Sequence, residues 1–156
     1  MWMVFLVFLS GQETERCNSP IFLSMQLSGI HHIALNVLDL DRAEKFYSEI
    51  LGFDVVKRFS KGLRHIMLDT GNSYIALFEV PDLDVRSHMD QLSNRGYMHF
   101  AFKIEISQFQ SAVEKLKENN INIGKGPVRR GNGDSVYFQD LDYNHLEIHC
   151  DGREDS

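Results

Sequence analysis

The segment 29–37, GIHHIALNV, recurs in altered form at 96–104, GYMHFAFKI. His32 and His99 occupy the same place in the two segments, 67 positions apart because 99 minus 32 is 67, and an alanine follows each histidine two positions later. Most of the other residues differ between the copies. A strand-like segment that keeps a polar residue in register across a repeat indicates a duplicated supersecondary unit.

An amphipathic helical pattern follows each copy of the segment. In the first copy, Asp41 and Glu44 suit a capping box, and the pattern stops at Gly52. In the second copy, Ser107 and Gln110 suit the same kind of box. The apolar positions at helical spacing are Ala43, Phe46, Tyr47, Ile50 and Leu51 in the first helix, and Phe109, Val113 and Leu116 in the second, which ends at Asn119 and Asn120.

Three strand patterns follow each helix, at 54–59, 63–69 and 73–80 and then at 121–125, 134–139 and 145–149. This order predicts an α+β fold in which two βαβββ modules form a mixed sheet with the helices on one face. We expect one domain at 28–150, made of module one (28–80), a polar linker (81–95) and module two (96–150), with an N-terminal extension at 1–27 outside the fold and a tail at 151–156.

Strand alternation sorts the side chains into two faces, a helix face that packs on the helices and a cup face on the opposite side. Large apolar residues mark the helix face in each strand: Ile33, Leu35 and Val37, then Met98, Phe100, Phe102 and Ile104, then Leu146 and Ile148. The cup face is therefore predicted to carry His32, Ala34 and Asn36 from the first strand, His99, Ala101 and Lys103 from the fifth, Ser135 and Tyr137 from the seventh, and His145, Glu147 and His149 from the eighth.

Two imidazoles and one carboxylate on a shared face suggest a metal site. His32, His99 and Glu147 form the 2-His-1-carboxylate set that holds a divalent metal and leaves positions open for substrate. Amphipathic strands that merely expose polar residues to water would show the same alternation, so the pattern alone leaves both interpretations open.

The run HIALNVLDLDRAEKFYSEILGF at 32–53 resembles the N-terminal signature of glyoxalase I. Together with YMHFAF and DSVYFQDLDYNHLEIH, it resembles the vicinal oxygen chelate superfamily of glyoxalases, fosfomycin-resistance enzymes, extradiol dioxygenases and metal-free drug-binding proteins. The resemblance covers about 28–150. It implies that the modules curl into a cup, and that relatives with two modules complete the cup as homodimers.

The resemblance implies roles for particular residues. His32, His99 and Glu147 match the metal ligands, and Tyr137, ten residues before Glu147, matches a tyrosine that can donate a hydrogen bond to a metal-bound oxyanion. His65 and His149 are candidates for an acid or base near the metal. Residues expected to contact the substrate are Asn36, Lys103, Ser135 and Arg129, with Arg130 beside Arg129 as a further source of positive charge.

Departures from the family patterns reduce the number of family reactions that fit this sequence. Ala76 stands where glyoxalase I has a fourth ligand, and Glu79 could replace that ligand only after a strand shift. Ala34 and Pro127 stand where the fosfomycin enzymes have a threonine and a lysine. We therefore expect a divalent-metal-dependent enzyme. Its reaction is left open among that of a lyase, a ring-cleaving dioxygenase and a thiol transferase. The alternative is a metal-free binding protein of the bleomycin-resistance type.

Composition limits the partners. The chain has 156 residues and a formal net charge of -6 without a run of Lys and Arg, so we expect a small-molecule substrate rather than nucleic acid. The apolar start, MWMVFLVFLS, is about half the length needed to span a bilayer, which argues against a transmembrane helix. It has no basic region before it, which weakens the signal-peptide interpretation. Cys17 and Cys150 are expected to be free thiols in the cytoplasm. The cofactor is expected to be one divalent ion, with Fe, Mn, Zn and Ni not distinguishable, and a thiol is a possible cosubstrate.

Overall fold

The computed structural model of the chain describes residues 27–85 and 98–152. Module one contains β1 (His32–Val37), helix α1 (Leu40–Lys45) with a π-helical continuation (Phe46–Ile50), β2 (Asp54–Phe59), β3 (His65–Asp69) and β4 (Tyr74–Glu79). Module two contains β5 (Phe100–Lys103), helix α2 (Ile106–Glu118), β6 (Ile123–Arg130), β7 (Gly133–Gln139) and β8 (His145–Cys150). The predicted α+β fold with two βαβββ modules is confirmed.

The two modules have the same sheet topology. Each forms a four-stranded mixed sheet, in the order β1-β4-β3-β2 and β5-β8-β7-β6. In both, the strand before the helix pairs in parallel with the last strand, because the helix carries the chain over the sheet, while the remaining pairs are antiparallel. This closure brings His99, which immediately precedes β5, next to Glu147 on the last strand of module two, 48 positions away.

The predicted helix caps are wrong in detail. The N-cap of α1 is Asp39, whose carboxylate accepts from the backbone N–H of Arg42 at 2.9 Å, so the helix begins earlier than the expected Asp41–Glu44 box. Helix α2 follows Glu105, whose side chain makes no cap hydrogen bond, and Gln110 donates to Glu114 instead of closing a box. Asp39 and Asp41 are both residue types that can cap a helix, and the structure uses Asp39.

Helix-face residues of both sheets form the core with the buried sides of the helices. Tyr47, Val37, Leu68, Val113 and Leu146 are among the fully buried side chains. The core runs continuously through both modules. One expectation is wrong: Met98, placed on the helix face by alternation, is 63% exposed, because β5 begins only at Phe100.

Hydrogen bonds and an ion pair connect module one to the turn between β7 and β8. The buried Tyr47 hydroxyl donates to Asp140 Oδ2 at 2.8 Å. Arg42 forms an ion pair with Asp142 at 2.6 Å, and the backbone N–H of Leu38 donates to the same carboxylate. Asn144 donates to the backbone oxygen of Asn36 at 3.3 Å. These contacts define how the two sheets are oriented relative to each other.

Several sequence predictions concern other parts of the chain. The N-terminal extension, Cys17 and most of the linker lie outside the described residues. Cys150 is a free, buried thiol, as predicted. Within 27–85 and 98–152, the helices are too short and too polar to cross a bilayer.

Candidate active site

His99 and Glu147 meet on the cup face of module two. His99 Nε2 lies 2.6 Å from Glu147 Oε2, and the carboxylate side chain is 8% exposed. The contact arises because β5 and β8 are parallel neighbours, so that His99, the residue before β5, lies beside the part of β8 that carries Glu147. An imidazole nitrogen and a carboxylate oxygen that converge in this way are ligand types that suit a divalent first-row metal.

Tyr137 lies against this pair. Its ring meets the His99 ring edge to face at 5.6 Å between centroids, and β7 places Tyr137 directly opposite Glu147. The phenol oxygen accepts a hydrogen bond from Arg130 Nε at 3.2 Å. A phenol can donate a hydrogen bond as well as accept one.

A second hydrogen-bonded series lies one row further along the cup face. Ser135, which is fully buried, bonds to His149 Nδ1 at 2.9 Å, and His149 Nε2 bonds to Asp151 Oδ1 at 3.1 Å. Lys103 pairs with the other oxygen of Asp151 at 3.1 Å. Lys103 and His149 together hold the pKa of the Asp151 carboxyl below its ordinary value. Ser135 and Lys103, both expected to contact substrate, are thus engaged with the chain itself.

His32 lies on the cup face of module one, as alternation predicts, but apart from His99 and Glu147. Its Nδ1 is 2.9 Å from His31 Nδ1, and the His31 ring in turn packs against Tyr74. In the part of the chain that the structure describes, no three His, Cys, Asp or Glu side chains are grouped closely enough to hold a metal. One chain therefore assembles two of the three predicted ligands, and the metal role of all three stays a prediction.

Arg129 and Arg130 face opposite sides of β6. Arg129 donates to the backbone oxygen of Gly131 and borders a groove on the helix side with Ile106 and Phe109, whereas Arg130 reaches Tyr137. This placement argues against the predicted contact of Arg129 with a substrate in the cup. Register shifts in β6 at both sides of Lys125 break the alternation. Sequence parity therefore could not show which arginine faces the cup.

Other candidates have structural roles. Glu79 accepts from the backbone N–H of Leu40 at 3.0 Å and from Arg64 at 2.9 Å, so it anchors the start of α1 and is not placed as a ligand. His65 is stacked between Phe59 and Phe78, with ring centroids 4.2 and 4.4 Å away. Asn36 is exposed on the cup face of β1, where substrate contact stays a prediction.

A cavity of about 500 Å³ opens beside Tyr137. Sequence reasoning missed most of its lining. His145 had been placed on this face by alternation, but the polar side chains around it carry no motif that would have identified them. The cavity is lined by Asn122, Gly124, Lys125, Arg130, Tyr137, Phe138, Gln139 and His145.

A family model and the related proteins described below all match most of this chain. Residues 29–148 match the family model of the Glyoxalase/Bleomycin resistance protein/Dioxygenase superfamily. Metallothiol transferase FosB of Staphylococcus epidermidis is 33% identical over 126 residues, which cover 80% of this chain and 83% of that protein. Fosfomycin resistance protein FosX of Listeria innocua is 32% identical over 126 residues, 80% of this chain and 90% of its own.

A solved structure is similar over most of its length. A FosX variant from Listeria monocytogenes, complexed with Mn(II) and 1S,2S-dihydroxypropylphosphonic acid, is 25% identical, covers 81% of this chain and 95% of its own, and has a TM-score of 0.66. These relatives confirm the predicted superfamily, and they confirm the prediction of a divalent-metal-dependent enzyme over that of a metal-free binding protein.

Proposed function

Because this chain belongs to the Glyoxalase/Bleomycin resistance protein/Dioxygenase superfamily, we propose that it is a metal-dependent transferase that adds a thiol to a small electrophile in its cup. The observation that carries this proposal is the 2.6 Å contact between His99 Nε2 and Glu147 Oε2, with Tyr137 packed on the histidine ring. The name of the FosB relative, a metallothiol transferase, supports thiol transfer in particular.

We place the third ligand, His32, in the same centre through a homodimer. Within one chain His32 stays on module one while His99 and Glu147 lie on module two. Exposed apolar residues flank the site segments, with Leu27 83%, Ile30 69% and Met98 63% exposed, and a second copy would cover them. The metal would then bind between His99 and Glu147 of one protomer and His32 of the other.

The chemistry follows from what each group can do. A divalent ion bound here supplies Lewis-acid polarisation of a substrate oxygen. Tyr137 donates its hydroxyl hydrogen to the oxygen on which negative charge develops. With an epoxide as substrate, the thiol sulfur forms a C–S bond, one ring C–O bond breaks, and the released oxygen takes up the proton that the thiol lost.

The proposed substrate is a small epoxide with a second oxygen close enough to the ring oxygen for both to reach the metal. The site departs from the fosfomycin pattern. Ala34 and Pro127 replace two polar contacts expected for a phosphonate, and Ser135 is bonded to His149. Those departures favour a related epoxide over fosfomycin itself. We place the enzyme in the cytoplasm, where thiol cosubstrates and the free Cys150 thiol stay reduced.

A second candidate, addition of water in place of the thiol, is supported by the FosX relatives. The FosX variant was solved with a vicinal dihydroxy compound, which is the form that water addition to an epoxide produces. Assays of epoxides with and without added thiols separate the two reactions, because only the transferase would show a rate that depends on thiol concentration.

Metal content tests the proposed centre directly. After purification without chelators, we expect the wild-type chain to hold a divalent metal and His99→Ala to bind it at least about tenfold more weakly, because an essential ligand is lost. His65→Phe is the matched control, since it also removes an imidazole but keeps the ring stack with Phe59 and Phe78. An unchanged metal load in His99→Ala would contradict the proposal.

A further inference from the structure

The side chains of His31 and His32 contact each other, although the two residues are neighbours in the chain. Their Nδ1 atoms are 2.9 Å apart, and their rings meet edge to face with centroids 5.1 Å apart. Successive residues of a strand point to opposite faces, so alternation alone would separate the two rings. Because β1 begins at His32, His31 lies outside the regular strand, and its ring turns toward the ring of His32.

Contacts with the start of β4 hold His31 in this position. Its backbone oxygen accepts hydrogen bonds from the backbone N–H of Tyr74 at 3.1 Å and from the Ser73 hydroxyl at 3.2 Å. Its ring packs against the Tyr74 ring, with centroids 5.5 Å apart. Since both the backbone and the ring of His31 are held by module one, His31 can in turn restrict how the His32 ring rotates.

A hydrogen bond between two neutral imidazoles has a direction, because one Nδ1 carries the hydrogen and the other accepts it. When His32 is the donor, its hydrogen lies on Nδ1 and its Nε2 keeps a lone pair for a metal. When His31 is the donor, the hydrogen of His32 lies on Nε2, where it blocks coordination. A metal-bound histidine donates its second ring N–H to a fixed acceptor, and His31 offers such an acceptor.

We propose that His31 is a positioning residue for the metal centre. It accepts a hydrogen bond from His32 Nδ1 and so fixes the tautomer and the ring orientation in which His32 Nε2 binds the metal. This rests on the proposed function, in which His32 is the third ligand. His31 itself bonds neither metal nor substrate, since its Nδ1 is occupied by the hydrogen of His32.

Two substitutions separate the acceptor of His31 from its ring. His31→Phe keeps a ring against Tyr74 but removes the acceptor, whereas His31→Gln keeps an acceptor oxygen but removes the ring. His31 and His32 are both exposed, so we expect either variant to fold, which a thermal melt checks.

The first measurement is the affinity of the metal-free protein for Mn(II), the ion bound in the similar FosX structure. We expect His31→Phe to bind Mn(II) about tenfold more weakly than wild type, because loss of a hydrogen-bond partner of a metal ligand has a cost of that order. His31→Gln should stay closer to wild type than to His31→Phe. His65→Phe is the matched control, since it makes the same substitution at a histidine stacked between two phenylalanines, and its affinity should equal that of wild type.

The second measurement is nitrogen-15 NMR of the metal-free protein, which reports the tautomer of His32. In mildly alkaline buffer, where imidazoles are neutral, we expect the His32 hydrogen on Nδ1 in wild type and in His31→Gln. In His31→Phe the hydrogen should shift toward Nε2. A role of His31 in packing alone would not move this hydrogen.

The outcomes separate the role of His31 from the proposed function. A His32 hydrogen on Nε2 in wild type would overturn the positioning role. Equal Mn(II) affinities of wild type and His31→Phe, or equal losses in His31→Phe and His31→Gln, would overturn it as well, although the metal centre would stand. The proposed function fails separately if wild type binds no Mn(II) or if His32→Ala binds it as tightly as wild type.

Discussion

At the scale of single residues, the buried pair of Tyr47 and Asp140 shows how a polar contact can determine the position of a module. The tyrosine hydroxyl donates to Asp140 Oδ2 at 2.8 Å, while Oδ1 accepts from the backbone N–H groups of Asp142 and Asn144 at 2.9 and 2.8 Å. Burial raises the pKa of Asp140, and these hydrogen bonds partly oppose that rise. The carboxylate would be costly to bury without them.

Removing the tyrosine donor should destabilise the fold in a pH-dependent way. We expect Tyr47→Phe to lower the free energy of unfolding by about 1–3 kcal/mol at neutral pH, because a buried carboxylate loses a partner. Because the pKa of Asp140 is raised in the folded state, the protein loses free energy of unfolding as the pH rises and this carboxyl ionises. The loss is larger when Tyr47 no longer donates a hydrogen bond to the carboxylate. The deficit should therefore shrink on acidification. Urea denaturation at several pH values measures it, with Tyr74→Phe as the control; a deficit independent of pH would contradict the argument.

At the scale of elements, the pairing of β7 with β8 depends on a glycine. A Cβ added at Gly133 would lie 1.8 Å from the backbone oxygen of Cys150 and 3.1 Å from a carbon of the His149 ring. No side chain fits there while the strands keep this spacing. The same strand pair carries Tyr137 and Glu147, so close approach at Gly133 also holds the cup face of module two in place.

Gly133→Ala should loosen this strand pair. We expect a loss of about 1–3 kcal/mol in the free energy of unfolding, because the backbone must move to admit a methyl group. Gly124→Ala in β6 is the matched control: an added Cβ there meets nothing within 4 Å, so it should be neutral or slightly stabilising. Urea denaturation measures both variants. Equal free energies of unfolding would show that the close approach of β7 and β8 does not require a glycine at position 133.

At the scale of the whole molecule, the three proposed metal ligands lie on two different modules. Module two brings His99 and Glu147 together, and module one carries His32 on its own sheet. In the proposed metal centre, His32 must therefore meet His99 and Glu147 from another module. The proposed homodimer meets this need by symmetry, since each interface would form two equivalent sites.

Mixing inactive variants tests the shared site. His32→Ala and Glu147→Ala chains should each lack metal-dependent activity, while co-refolded mixtures should recover about a quarter of the wild-type sites, because half of randomly paired dimers are mixed and each has one intact site. Doubly substituted chains carrying both changes, mixed with Glu147→Ala, serve as the control and should recover nothing. Absence of complementation in the first mixture would place the site within one chain.

Much of the candidate site was predictable because strand alternation is a local property. The period of two in β1 and β8 sets His32 and Glu147 apart from their apolar neighbours, and the repeat equates His32 with His99. The first residue of α1 was less predictable, since Asp39 and Asp41 are the same residue type and either could serve as the N-cap. The faces of β6 were not predictable at all, because bulges at Lys125 shift the alternation.

The amino-acid sequence alone determined the duplicated βαβββ order, the two faces of each regular strand and the residue types available for a metal, because these depend on backbone geometry within a few residues. Only the tertiary structure decided which of these residues are neighbours. It brought His99 to Glu147 through a parallel pairing, turned Arg130 rather than Arg129 toward Tyr137, and kept His32 on a separate sheet. Contacts between distant segments depend on sheet closure and bulges, which arise only when the whole chain packs.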